Sequence, residues 1–116
     1  MGTNTVMFGW KRSLPGREQL SAAHFQDFVG YLSGLQKDGR IASFEPVLLD
    51  PNGSGLNGFF LIRADDGKLS ELLSSEAWFG HVVRAMMHLD EATVVRGVSG
   101  PLVNERMNVW VGQIPH

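Results

Sequence analysis

Apolar residues recur with two different periods along this chain, and the switch between them marks out the elements. From 17 to 37 the spacing is helical: Leu20, His24, Phe28, Tyr31 and Leu35 lie on one stripe, flanked by Phe25 and Leu32. Residues three, four and seven apart share a helix face, so this stripe predicts an amphipathic helix. Gly39 follows Lys37 where a C-terminal cap belongs. A second helical pattern covers 68–89, with a break expected near Ser74-Ser75. There Trp78, Phe79, Val82, Val83, Met86 and Leu89 make an apolar stripe with Ala85 at its edge, while His81, Arg84 and His88 fall opposite. That distribution predicts that the two histidines and the arginine form the solvated side of the helix.

Four other stretches are rich in β-branched and aromatic residues and predict strands: TVMFGWK (5–11), IASFEPVLL (41–49), GFFLIRA (58–64) and ATVVRGV (92–98). SLPG breaks the first, DPNGSGLNG joins the second to the third as a hairpin, and DDG leads into the second helix. Pro46 lacks a ladder donor, which places the second strand at an edge or a bulge. The resulting β-α-β-β-α-β succession over residues 1–100 predicts a ferredoxin-like α+β domain. Its architecture would be a four-stranded antiparallel sheet with two helices on one face. Residues 101–116 form a C-terminal extension, and its Val109, Trp110, Val111 and Ile114 are too apolar for a free tail. The extension is expected to pack on its own domain or on a partner subunit.

Assembly follows from the strands. Neighbouring strand residues point to opposite faces, so Phe59 and Phe60 cannot both meet the helices, and neither can Val94 and Val95. Both sheet faces therefore need cover. The expectation is a homodimer of the dimeric α+β barrel kind, joined isologously through the open sheet face. Cover of that face by the chain's own extension is the alternative.

Composition narrows the class. At 116 residues and 43% hydrophobic content, the chain has the makings of one folded core. A net charge of −2 with interspersed signs gives no basic patch for nucleic acid or anionic membrane. The absence of cysteine excludes disulfide and thiolate chemistry and suits a reducing cytoplasm, the expected location. MGTNTVMFGWKR has neither the charged leader and apolar run of a signal peptide nor a complete myristoylation pattern, and no stretch is long enough to span a bilayer. PNGSGLNG lacks the spacing of a phosphate-binding loop, and no serine sits in a G-x-S-x-G setting. With no cysteine and no H-E-x-x-H pattern, neither a metal site nor a cofactor is expected.

His24 is the polar residue out of place, in mid-stripe between Leu20 and Phe28. A buried imidazole needs a hydrogen-bond partner, because leaving one unpaired costs about 1–3 kcal/mol. It is either a structural core histidine or a proton acceptor facing a cleft between helix and sheet.

Three features together resemble the YCII-related family of small dimeric α+β barrel proteins: AAHFQDFVGYLSGLQKDGRI with its histidine and closing glycine, the strand GFFLIRA after a hairpin, and the step SSEAW. The likeness runs from about Arg17 to Gly100. In that family an Asp-Pro-Phe step supplies an aspartate that pairs with the helix histidine. Here His24 matches that histidine, Glu76 stands at the aspartate's place, and Ala77-Trp78 replace Pro-Phe. The resemblance implies a catalytic pair, His24 as proton acceptor and Glu76 orienting it, in a lyase- or hydrolase-type step. Trp10, Phe28 and Trp78 would give a small, partly apolar ligand its walls. The alternative is a non-enzymatic dimeric binding or accessory protein in which His24 is structural. Haem oxygenation, seen elsewhere among dimeric α+β barrels, is a third reading and would need His24 or His81 as axial ligand.

Overall fold

Alternation in TVMFGW produces β1 (Thr5–Trp10) at the centre of the molecule, with Val6 and Phe8 turned into the core. A computed structural model describes residues 1–115, and His116, the last residue of the predicted extension, lies outside the described residues. The short β2 (Arg12–Ser13) follows, then α1 (Glu18–Lys37), β3 (Ser43–Leu48) and β4 (Gly58–Arg63). The second helical pattern becomes two helices, α2 (Asp66–Leu73) and α3 (Glu76–Met86). After them come β5 (Leu89–Asp90), β6 (Thr93–Gly97) and α4 (Leu102–Gly112).

Four strands form an antiparallel sheet in the order β3-β4-β1-β6, and β2 pairs with β5 in a small separate ribbon. The molecule is thus a mixed helix and sheet fold of the α+β type. Pro46 sits on β3, an edge strand, where a missing N–H is tolerated. α1 ends as its glycine predicts: Gly39 takes φ 74°, and the Arg40 N–H reaches back to the Leu35 carbonyl at 2.9 Å.

The register fixes what each sheet face carries. Phe8 lies opposite Phe60, and Val6 opposite Ile62, and all four are buried against α1, α2 and α3. Phe28, Leu32, Leu69, Trp78 and Ala85 complete this core from the helix side. On the other face Met7 is paired with both Leu61 and Val95, and Phe59 with Val47. Val95 is 49% exposed there. Phe59 and Phe60 therefore do point apart, Phe60 into the core and Phe59 to the open face.

The wet-side expectation for the second helical pattern is corrected. His88 is 3% exposed, and His81 and Arg84 are half-buried, whereas Phe79 and Met86 of the predicted apolar stripe are each 65% exposed. α3 turns Trp78, His81, Val82 and Ala85 inward, a set with the same helical spacing as the stripe first drawn. His88 is not on the helix at all. α3 stops at Met86, and the turn that follows folds His88 back beneath it.

Candidate functional site

Two elements bring the site together. α1 carries Ser21 and His24 three positions apart, so both side chains leave the same face. α3 presents His81 to that face, and the turn after α3 adds His88. The turn is held by the His88 N–H bonding the Ala85 carbonyl at 3.1 Å and the Leu14 N–H bonding the His88 carbonyl at 2.8 Å. The Arg17 guanidinium also donates to the Met87 carbonyl, tying the start of α1 to the end of α3.

The result is an unbroken hydrogen-bond chain. Ser13 Oγ donates to Ser21 Oγ at 2.6 Å, and Ser21 Oγ lies 2.7 Å from His88 Nδ1. His88 Nε2 is 2.8 Å from His24 Nδ1, and His24 Nε2 is 3.0 Å from His81 Nδ1. The His24 and His81 rings are stacked with an interplanar angle of 6°, while His88 meets His24 edge-on at 83°. Tyr31 packs on His81, ring centroids 4.5 Å apart at an interplanar angle of 36°. Among the described residues no buried side-chain nitrogen or oxygen is left without a partner.

One end of the chain opens into a cavity of about 260 Å³ between α1 and the sheet. Phe8, Trp10, Phe25, Phe28 and Phe60 make its walls, and Ser13, Ser21, His24 and His88 supply its polar end. Leu48, 71% exposed, stands at the rim. The shape of the cavity depends on Gly58, the cross-strand partner of Trp10. A β-carbon at Gly58 would come within 2.6 Å of the Trp10 indole, so only glycine leaves room for the ring in this position.

Electrostatics keeps the three rings neutral. Burial, followed by the positive charge of Arg84 and the neighbouring histidines, pushes His24 down from 6.5 to about 4, against a small opposing pull from Asp27. Burial and then Arg84 lower His81 and His88 as well. Asp27 pairs with Arg84 at 2.8 Å and so offsets part of that positive field. Neutral imidazole carries one N–H and one acceptor nitrogen, so a line of them satisfies itself only if every proton points the same way. Two such polarisations exist here, one running from Ser21 towards His81 and one in reverse.

The predicted site residues separate into groups. His24, Trp10 and Phe28 meet at the cavity. Trp78 is 4% exposed in the core, packed on Phe8 and Phe28 rather than lining the cavity. Glu76 is not brought to His24: it is exposed in the first turn of α3, and both nitrogens of His24 are taken by His88 and His81. Ser13, Ser21, His81 and His88 are the members that the sequence reading missed. A signal for His81 was present, since it sits mid-way in the set Trp78, His81, Val82 and Ala85 just as His24 does in its own stripe. Among the described residues no group of three or more potential ligands is arranged to hold a metal ion, because the imidazole nitrogens face one another rather than a common point. Among the described residues no helix is long and apolar enough to cross a membrane.

No family model, curated protein or solved structure matches this chain.

Proposed function

We propose that this chain binds a small aromatic molecule bearing one ionisable hydroxyl, and moves a proton between that group and solvent through Ser21, His88, His24 and His81. The observation that carries this reading is the hydrogen-bond chain itself, which begins in the wall of an apolar cavity and ends at a half-buried ring. His24, held near 4, is too weak a base to keep a proton at neutral pH. A relay avoids that difficulty. The ligand hydroxyl gives its proton to Ser21 as Ser21 gives its own to His88 Nδ1. His88 then passes its Nε2 proton to His24 Nδ1, His24 passes its Nε2 proton to His81 Nδ1, and His81 releases its Nε2 proton to water. Each ring ends neutral in the opposite tautomer, so the one charge left in the fold is the ligand oxyanion, which sits at the serine end of the cavity within reach of hydroxyl donors.

The sheet order, with its β-α-β-β-α-β succession, suits the ferredoxin-like class. We carry the YCII-related resemblance, a cytoplasmic setting and a homodimer through the open sheet face as parts of the same reading. In this version His81 and His88 take the orienting role expected of Glu76, in a lyase- or hydrolase-type step.

The test uses 2-naphthol, whose emission distinguishes the neutral phenol from the naphtholate. The intact chain is expected to bind it and to raise the naphtholate fraction. His88→Gln and His81→Gln are expected to bind it with that fraction reduced at least ten-fold, and Glu76→Gln to behave as the parent. The second reading, a binding protein with a structural histidine cluster, is favoured by the pairing of every buried side-chain nitrogen and oxygen among the described residues. Equal naphtholate emission in both histidine variants would establish it in place of proton transfer.

A further inference from the structure

The surface of this molecule is too large for a solitary chain of its mass. Its accessible area is 7329 Å². A compact monomer of 12.8 kDa exposes about 6,300 Å². The radius of gyration is 15.8 Å, against about 13 Å for a compact chain of this length. The excess of roughly 1,000 Å² is close to the area, about 800 Å² per partner, that a stable protein interface covers.

α4 adds to that exposed surface. None of its residues is buried. Val103, Met107 and Trp110, with Ile114 in the turn beyond, recur at helical spacing and are 41%, 47%, 67% and 51% exposed. An isolated helix of this length, 11 residues, is marginal in water, so its stability must come from packing. The root of the helix is nevertheless firmly held. Asn4 Nδ2 donates to the Ser99 carbonyl at 3.0 Å, the Ser99 N–H donates to Asn4 Oδ1 at 2.9 Å, and the Arg106 guanidinium donates to the Gly2 carbonyl at 3.1 Å. α4 is therefore anchored at its root while Val103, Met107 and Trp110 stay exposed.

The chemistry of the arm narrows the occupant. Glu105 and Arg106 are its only charges and cancel, which suits a protein surface and not an anionic lipid face, where a row of Lys and Arg is needed. The same chain also carries half-buried Met7, Phe59 and Leu61 and exposed Val95 on the sheet face opposite the core. One molecule thus offers two apolar surfaces that retain exposed side chains, and a two-fold pair would bury both at once.

We propose that α4 is a clasp, its Val103–Met107–Trp110 stripe docking on a second copy of this chain at the rim of the open sheet face, with the partner's arm docking in return. The inference rests on the homodimer reading above and adds the arm as its principal anchor, with Trp110 the residue that contributes most.

Sedimentation equilibrium of the full chain across micromolar concentrations is the test, together with hydrogen exchange of the α4 amides. The intact chain is expected to sediment at twice its 12.8 kDa mass, and the α4 amides to lose protection on dilution. The double variant Met107→Glu/Trp110→Glu alters only exposed positions. It is expected to weaken association at least 100-fold with an unchanged far-ultraviolet dichroism spectrum, and Val95→Glu on the sheet face to weaken it too. If the parent is a dimer that the α4 double variant leaves intact while Val95→Glu disrupts it, the clasp is overturned and the sheet pairing stands. A parent that stays monomeric overturns both, whether α4 is protected on its own sheet at every dilution or binds phosphatidylglycerol vesicles instead.

Discussion

At the scale of single residues, the cavity depends on one missing methyl group. Gly58 faces Trp10 across the β1–β4 pair, and the ring atoms Cζ2 and Cε2 lie 2.6 Å and 2.8 Å from where a β-carbon would stand. A ring is stiffer than an aliphatic side chain, so Gly58→Ala must push the indole off the sheet and into the cavity whose wall it forms. Overpacking of this kind costs about 1–3 kcal/mol. We expect Gly58→Ala to lower the stability read by urea denaturation by that amount and to abolish 2-naphthol binding. Gly53→Ala, in open space on the hairpin loop, is the control and should leave binding unchanged. Binding preserved in Gly58→Ala would mean that the cavity described here is not where the probe sits.

At the scale of elements, the break between α2 and α3 sets the direction in which the histidines point. Ser74 ends α2, and Ser75 caps α3 by accepting the Trp78 N–H at 3.2 Å. That cap starts α3 in the rotation that turns Trp78, His81 and Ala85 inward. Loss of such a cap costs about 1 kcal/mol. Ser75→Ala is expected to destabilise the chain by that amount and to increase amide exchange in the first turn of α3, as read by hydrogen-exchange mass spectrometry. The break itself was visible in the sequence as a serine pair inside an apolar run, and so were the four strands, the long first helix and its glycine cap. The rotation of α3 was not. Trp78, Phe79, Val82 and Met86 fit one apolar stripe and Trp78, His81, Val82 and Ala85 another, and residue type alone favours the first. Which of them faces in depends on contacts between α3 and α1 that no local pattern records. His88 was hidden for a related reason: it lies past the end of the helix, and only the turn through Met87 and the bond to Leu14 bring it to His24. Glu76 was placed by likeness to the YCII-related motif, and its position at the start of α3 leaves it at the surface.

At the scale of the whole molecule, the three neutral rings tie the α1 layer to the α3 layer and to β2, so their protonation is a property of the entire fold. The sign of the effect follows from the direction of the shifts. His24 is lowered from 6.5 to about 4 in the folded chain, first by burial and then by Arg84, His88 and His81, with Asp27 opposing. His81 and His88 are lowered in the same direction by burial and Arg84. A group lowered on folding binds more protons when unfolded, so stability is complete above the unfolded value and falls as the pH drops towards the folded one. For His24 the window runs from 6.5 down to about 4 and is worth about 3 kcal/mol. His81 and His88 steepen the decline within it. Urea denaturation at closely spaced pH values is therefore expected to show flat stability above pH 7 and a progressive loss below pH 6.5, before the carboxylates of the chain are titrated. His24→Gln should lower the plateau, because a buried network loses a member, and should also flatten the slope between 6.5 and 4. A parent chain equally stable at pH 7 and pH 4.5 would mean that the rings are charged or solvated in the fold, and the neutral relay would have no basis. A slope present in the parent and unchanged in His24→Gln would assign it to other groups and leave His24 out of the linkage.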